Sequence, residues 1–113
     1  MLSTYKFGII AEYVAILLLK IGMYKILKLR YRNYAGEIDI IAMKNNVVVF
    51  IEVKARMKLD LGYELVHPKQ IDRIKNAASL FLAQHPKLQS KDARFDLMVI
   101  SANSWPRHLK NIG

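Results

Sequence analysis

Two short segments of the sequence carry acidic and basic side chains at the spacing of a β-strand. The first holds Glu37 and Asp39, and the second holds Glu52, Lys54 and Arg56. Because successive side chains on a strand point to opposite faces, the charged residues of each segment share one face. Paired carboxylates beside a lysine can bind a divalent cation and direct a water molecule at a phosphodiester. The spacing therefore indicates metal-assisted hydrolysis.

The dipeptide Asn45-Asn46 lies between these segments and predicts the hairpin that would bring them together. Asn tolerates the positive φ that a two-residue turn needs. Such a turn places Asp39 directly opposite Glu52, and Glu37 directly opposite Lys54. Because opposed like charges repel, the Asp39–Glu52 pair needs a counterion, and Mg²⁺ or Mn²⁺ is expected. Lys54 would position the water, and Glu37 would orient Lys54.

An ordinary hairpin offers an alternative, in which Glu37 and Lys54 form a cross-strand ion pair and the remaining acids are solvated. The residues that continue the Glu52 face are Val48 and Phe50, and both are apolar. A face that changes abruptly from apolar to acidic favours a site at the edge of a core.

A third carboxylate, Glu12, comes from the first predicted helix. On a helical wheel, large apolar residues form the main stripe: Ile9, Ile10, Tyr13, Val14, Leu17 and Ile21. Glu12 lies nearly opposite that stripe, on a small apolar side with Gly8 and Ala15. A surface helix normally carries more charge on such a side. Glu12 is therefore either a site residue or a single solvated acid, and the wheel leaves both open.

The elements that position these residues follow from periodicity, caps and turn signals. Helices are predicted over residues 3–21 and from Pro68 to about Gln84, and strands over 24–32, 37–43, 47–56 and 95–101. A loop containing Gly62 is predicted over 59–66, and the tail from Trp105 onwards is given no element. This order predicts an α/β domain with a central mixed β-sheet flanked by helices.

The length of 113 residues predicts a single domain over 1–113, and the absence of cysteine excludes disulfide scaffolds, zinc ribbons and thiol chemistry. A formal net charge of +9 favours a polyanionic partner, with nucleic acid ahead of an anionic membrane surface. The apolar stretch from Ile9 to Leu19 is too short to span a bilayer and lacks the pattern of a signal peptide, so a cytoplasmic location without a membrane is expected.

Basic and polar residues flank the acidic hairpin and are candidates for DNA phosphate contacts. They are Arg30, Arg32, Arg56, Lys69, Gln70 and Arg73. Gln70 shares a helical arc with Ala77 and Phe81, which predicts an inward direction. Taken singly, each Lys or Arg is better explained as a solvated surface residue, whereas the group beside the candidate metal site favours DNA contact. No pattern typical of a zinc finger, a helix-turn-helix dimer or an aromatic single-strand platform is found.

The arrangement of Asp39 with Glu52-Val53-Lys54 resembles the PD-(D/E)xK nucleases of the restriction-endonuclease-like fold. A wider set of motifs resembles the YraN-like family of small, largely uncharacterised bacterial proteins related to archaeal Holliday-junction resolvases. These motifs are Gly8-x-x-x-Glu12-x-x-Ala15, Gly22, Gly36 to Ala42, Phe50 to Arg56, Lys69 with Ala77-Ala78, Arg94-Phe95-Asp96 and His108 to Asn111. The chain departs from the family at Ala11, where Gly is usual, and in lacking the closing Ala-Phe.

The resemblance implies a restriction-endonuclease-like fold with Asp39, Glu52 and Lys54 as the nuclease core. By analogy with the resolvases, Glu12 joins this core, and a homodimer and a branched DNA substrate are plausible. An endonuclease that depends on Mg²⁺ or Mn²⁺ is the leading hypothesis. The alternative is a non-catalytic nucleic-acid-binding module that retains the fold.

Overall fold

A mixed sheet with one helix on each face is formed by the residues that the computed structural model describes, 3–56 and 67–113. Its elements are α1 (Thr4–Ile21), β1 (Lys25–Asn33), β2 (Gly36–Lys44), β3 (Val47–Arg56), α2 (Pro68–Ala83), β4 (Asp92–Ser101) and β5 (Arg107–Leu109), with a 3₁₀ turn at Pro86–Leu88. The predicted loop at 59–66, with Gly62, lies outside the described residues.

The strands follow the order β1-β2-β3-β4-β5 across the sheet. β3 and β4 run parallel, whereas the other neighbouring pairs are antiparallel. The predicted α/β fold with a mixed sheet is therefore confirmed. None of the described helices is long and apolar enough to cross a membrane.

Helix α1 begins and ends where its caps predict. The Ser3 hydroxyl accepts a hydrogen bond from the backbone N–H of Lys6, and Gly22 forms the C-cap. The side that packs on the sheet, however, is not the predicted stripe of large residues. The buried residues recur every fourth position, at Phe7, Ala11, Ala15 and Leu19.

Large apolar residues of α1 instead remain exposed, among them Tyr5, Ile10, Tyr13, Leu17 and Ile21. The main stripe of large residues on the helical wheel is therefore not the buried side of the helix. Small side chains explain the reversal, because two alanines with no exposed surface let the helix backbone approach the sheet. This orientation brings Glu12, the neighbour of Ala11, to the edge of the helix–sheet contact.

Helix α2 covers the other face of the sheet. Pro68 occupies its first turn, and the His67 ring accepts a hydrogen bond from the backbone N–H of Lys69. Its buried residues pack against apolar residues of β2 and β3. Gly36 permits this contact, because a Cβ there would lie 3.1 Å from the carbonyl oxygen of Arg73.

The β2–β3 hairpin has the predicted turn and the predicted register. Asn45 and Asn46 have φ angles of 52° and 64°, and the ladder pairs residues from Lys44↔Val47 to Ile40↔Ile51. Beyond Ile40 the regular ladder stops. The Asp39 carboxylate there accepts a hydrogen bond of 2.8 Å from the backbone N–H of Val53.

The alternation of side chains along β2 also shifts at Asp39. Ile38 packs in the α2 cluster, whereas Ile40, two residues on, packs in the α1 cluster. Strict alternation would put both on one face. Asp39 therefore sits where β2 changes faces, and its side chain reaches β3.

Strand β5 is missing from the sequence prediction, and β4 begins at Asp92 rather than at residue 95. β5 has three residues, which pair with Leu97, Met98 and Val99 of β4. A strand this short has no periodicity to detect, so its formation depends on partners far along the chain.

Candidate functional site

Asp39 and Glu52 come together where the β2–β3 ladder ends. The Glu52 side chain is 12% exposed, and Lys54 Nζ lies 3.6 Å from its Oε1 atom. Lys54 Nζ also donates a hydrogen bond of 3.4 Å to the Gln70 side-chain oxygen on α2. Glu52 and Lys54 share one face of β3, and Gln70 on α2 contacts the same lysine. The sheet and α2 therefore hold the Lys54 ammonium beside the Glu52 carboxylate.

Burial raises the pKa of Glu52 to about 8, and the neighbouring Asp39 carboxylate adds to the increase while Lys54 opposes it. Burial also raises the pKa of Asp39, although the Val53 N–H works against the change. Two carboxylates with raised pKa values favour retention of a proton near neutral pH when no cation is bound. A divalent cation could replace that proton and relieve the repulsion.

Glu12 faces the same region from α1. A cavity of about 460 Å³ is lined by Glu12, Arg30, Asp39, Glu52 and Lys54, among others. The Glu12 carboxylate already has a partner, because it accepts hydrogen bonds of 3.0 and 2.6 Å from the Arg30 guanidinium. Arg30 adopts a φ of 51°, which is uncommon for a side chain of this size.

The candidate cation site is therefore formed by the carboxylates of Asp39 and Glu52, while Glu12 is bound to Arg30. Within residues 3–56 and 67–113, no three His, Cys, Asp or Glu side chains lie close enough to hold one metal ion together. Asp39 and Glu52 supply hard oxygen donors of the kind that Mg²⁺ takes one or two at a time.

The predicted pairing of Glu37 with Lys54 is wrong. Glu37 is exposed and forms a salt bridge with Arg32, while Lys54 contacts Glu52 and Gln70. The ladder break at Asp39 explains the difference, because the hairpin register does not continue to Glu37. Glu37 remains near the site as one wall of a small cavity on the α2 side.

The candidate DNA contacts divide between the two faces of the sheet. Arg30 and Arg56 line the 460 Å³ cavity on the α1 side, and Arg56 also donates a hydrogen bond to the carbonyl of Ala55. Gln70 and Arg73 line the small cavity on the α2 side, with Gln70 in the predicted inward direction. Arg32 and Lys69 are exposed beside these groups.

A second acidic centre, around Asp96 on β4, carries no predicted role in the sequence. Its carboxylate is fully buried and accepts hydrogen bonds from Arg94 at 2.9 and 2.8 Å and from the backbone N–H of Asn111 at 3.0 Å. His108 Nε2 lies 2.7 Å away, and Arg94 also donates to the Tyr24 hydroxyl. This cluster joins β4, β5, the chain after β5 and Tyr24, the residue that precedes β1.

Burial alone would raise the pKa of Asp96, but hydrogen bonds from His108, Arg94 and Asn111 outweigh it and hold the pKa at about 2. The only signals in the sequence are the segments Arg94-Phe95-Asp96 and His108 to Asn111, which belong to the family resemblance. Their 12-residue separation conceals the contact from any local pattern.

Comparison with known proteins supports the resemblance. The profile of the uncharacterised protein family UPF0102 matches residues 11–100. A UPF0102 protein of Rhodopseudomonas palustris (strain BisA53) is 44% identical over 108 residues, covering 96% of this chain and 83% of that relative. A UPF0102 protein of Parvibaculum lavamentivorans is 37% identical over 108 residues, covering 96% and 81%.

Among solved structures, the chain is similar to Hjc, a Holliday junction resolvase from Archaeoglobus fulgidus. The TM-score is 0.57 at 15% sequence identity, with 88% of this chain and 72% of that chain covered. At this identity the likeness shows the fold, which is restriction-endonuclease-like as expected.

Proposed function

We propose that this chain, which belongs to the uncharacterised protein family UPF0102, is a metal-dependent endonuclease that cleaves DNA in the cytoplasm. The observation that carries the proposal is the close approach of Asp39 and Glu52 beside Lys54, inside a cavity that Arg30 and Arg56 also line. Opposed buried acids destabilise a fold unless a bound partner compensates them. A cation together with a phosphate is a partner that fits these charges.

Asp39 and Glu52 are the residues that would hold Mg²⁺ or Mn²⁺. The fit rests on their hard oxygen donors and on the pKa values of both residues, which burial raises and which the Asp39 carboxylate raises further for Glu52. A cation bound there would offset negative charge on the phosphate and lower the pKa of a water molecule. Lys54, held by Glu52 and Gln70, would orient that water. Glu12 would assist from α1.

DNA would be bound through its phosphates. Basic side chains lie on both sheet faces and at the start of α2, and Gln70 lies among them. We assign the phosphate contacts to Arg30, Arg32, Arg56, Lys69, Gln70 and Arg73. Phosphate contacts of this kind carry little sequence information and release counterions. We therefore expect weak sequence selectivity and an affinity that falls steeply with salt. An affinity unchanged between low and moderate salt would exclude this surface as the DNA contact.

The fold of a Holliday junction resolvase supports branched DNA as the substrate class to test first. Resolvases also motivate a homodimer, which sedimentation measurements would detect. A second candidate function is a nucleic-acid-binding module without turnover. It is favoured by the engagement of Glu12 with Arg30, which leaves two acids rather than three at the cation site.

The deciding experiment compares wild type with Glu52→Gln on four-way junction, flap, single-stranded and duplex DNA in Mg²⁺ and in Mn²⁺. Cleavage should fall by about a hundredfold or more, because a ligand that positions the cation is removed. DNA binding should stay equal or become tighter, because one negative charge is lost. Asp92→Asn is the matched control, since it neutralises an exposed acid at the far end of the sheet.

Equal cleavage by wild type and Glu52→Gln would place the activity elsewhere. Binding without cleavage by wild type on every substrate would favour the binding module. Lys54→Ala separates the roles further. It should lose turnover without any gain in DNA affinity, because it removes a positive group that orients water.

A further inference from the structure

A second cavity lies at the far end of α1 from the acid pair, against β5. Its volume is about 430 Å³, within the roughly 300–1,000 Å³ of small-molecule pockets. The walls combine the rings of Tyr24 and Trp105 with the cations Lys44, Arg107 and Lys110, over an apolar floor. No acidic side chain belongs to its described lining.

Trp105 is the unusual member of this wall. It is 88% exposed, although a tryptophan ring normally buries most of its large apolar surface. Beside it, Tyr24 is buried and carries Lys44 Nζ 5.1 Å from its ring centroid. An exposed indole next to a ring that already attracts a cation suits a flat, negatively charged ligand.

Two residues of the cavity lining, Tyr24 and His108, are held by hydrogen bonds within the Asp96 cluster. The Tyr24 hydroxyl accepts a hydrogen bond of 2.8 Å from Arg94, and the His108 ring is held 2.7 Å from the Asp96 carboxylate. The rings of Tyr24 and His108 lie 6.0 Å apart. The Arg94 guanidinium forms a salt bridge with Asp96 and compensates its charge, which limits the repulsion between the buried acid and an anion in the cavity.

We propose that this cavity binds an unpaired nucleotide of a nucleic-acid strand, with the base stacked on Trp105 and the phosphates on Lys44, Arg107 and Lys110. Stacking on an aromatic ring beside cations is how proteins hold single strands without reading sequence. The proposal rests on the proposed function and deepens it, because it assigns a strand released from a duplex as the recognised feature.

The two cavities are placed so that one strand could occupy both. Residues of α1 line both cavities, Gly8 among those of the first and Leu19 among those of the second. A helix rises about 1.5 Å per residue, so these positions are roughly 16 Å apart along the axis. This is the span over which a duplex entering at the acid pair could extend an unpaired end towards Trp105.

The test uses the fact that Trp105 is the single tryptophan of the chain. Its fluorescence is followed during titration with a single-stranded oligothymidine and with a blunt duplex of equal phosphate content, in EDTA so that no metal-dependent cleavage occurs. We expect saturable quenching by the single strand and little by the duplex. Trp105→Ala should weaken single-strand affinity about tenfold, measured by anisotropy of labelled DNA, whereas Trp105→Phe should largely retain it.

Tyr34→Ala is the matched control, because Tyr34 is 91% exposed on the β1–β2 turn, outside this cavity. It should bind the single strand as wild type does. Unquenched fluorescence, equal quenching by duplex, or wild-type affinity of Trp105→Ala would overturn the proposal. Equal quenching by polyglutamate or by anionic vesicles would also overturn it, because the cavity would then recognise charge alone.

The outcome is independent of the cleavage test. Quenching by the single strand in a chain that cleaves nothing would support this cavity and reject the proposed catalysis. Cleavage that depends on Glu52, without single-strand quenching, would do the reverse.

Discussion

Two groups of buried acids in the same sheet show opposite electrostatics. Asp96 is surrounded by donors from Arg94, His108 and Asn111, and its pKa is held at about 2. Glu52 faces another carboxylate, and its pKa rises to about 8. Burial is common to both, so burial does not separate a structural acid from a functional one. The number of hydrogen-bond donors around the carboxylate separates the two kinds of acid, because donors supplied by the fold stabilise the ionised form without a ligand.

Asp39 and Glu52 share one lysine between two carboxylates, so this pair is the part of the molecule whose charge a bound cation can compensate. Perturbed acids with a specific charged neighbour in a cleft mark candidate functional sites. The Asp96 cluster instead connects segments that are distant in sequence. If this contrast is correct, the stability that each region contributes should respond differently when its acid is replaced by an amide, when the pH changes and when a divalent cation is added.

Neutralising the satisfied acid should have the largest effect. Asp96→Asn should lower the free energy of unfolding by about 3 kcal/mol or more, because Arg94 would be left beside a buried site without its counterion. Urea denaturation measures the change. Asp92→Asn, an exposed acid on the same strand, should stay within about 0.5 kcal/mol of wild type. A loss of stability as small as that of Asp92→Asn would show that Asp96 does not stabilise the fold.

The pH dependence of stability should carry opposite signs at the two sites. In EDTA, the folded chain holds a proton on Glu52 more tightly than the unfolded chain, whose usual pKa is 4.5, so this site loses stability as pH rises from 4.5 to about 8. The slope is at most about 1.4 kcal/mol per pH unit for one proton. Asp96 acts in reverse, since its stabilisation is lost as pH falls from 3.8 to about 2.

Urea denaturation of wild type and Glu52→Gln across this pH range measures the part of the pH dependence that comes from Glu52. The substitution should flatten the decline between pH 4.5 and 8 and leave the acid limb unchanged. Parallel curves for the two proteins would show that Glu52 is ionised in the folded state at neutral pH.

Divalent cations should stabilise only through the repulsive pair. At a Mn²⁺ concentration ten times its Kd, wild type should gain about 1.4 kcal/mol, seen as a rise in melting temperature over EDTA. Asp96→Asn should start from a lower temperature and keep the shift, whereas Glu52→Gln should lose most of it. An equal shift in all three proteins would place the cation elsewhere.

A smaller change can loosen one region while sparing the other. Gly36→Ala places a methyl group 3.1 Å from the carbonyl oxygen of Arg73 and should move α2 by a few tenths of an ångström. We expect about 1 kcal/mol of destabilisation and weaker Mn²⁺ binding, because α2 carries the Gln70 contact to Lys54. The environment of Trp105, read from its emission maximum, should be unchanged.

Local signals in the sequence predicted much of this arrangement. Asn45-Asn46 set the hairpin register correctly, and Ser3, Gly22 and Pro68 predicted helix ends, because turns and caps depend on neighbouring residues. The Asp39–Glu52 approach followed from that register. Whether these residues bind metal or catalyse stays a prediction.

Long-range packing accounts for what sequence reasoning missed. The buried side of α1 was misjudged because side-chain size suggested the large stripe, whereas close helix–sheet contact selected Ala11 and Ala15. The Glu37 partner was wrong because the shift at Asp39 lies outside the regular ladder. The hydrogen bonds of the Asp96 cluster include one between Arg94 and Tyr24, which are 70 positions apart.

The exposed stripe of α1 has a consequence for how the protein behaves in concentrated solution. Tyr13, Leu17 and Ile21 present adjacent apolar surface on a molecule with a net charge of +9. At low ionic strength, mutual repulsion should keep such molecules dispersed. As salt shortens the Debye length to about 3 Å at 1 M, the attraction between stripes should prevail and the apparent mass should rise. Leu17→Lys should remove that rise, so a salt series should be followed by light scattering as well as by DNA affinity.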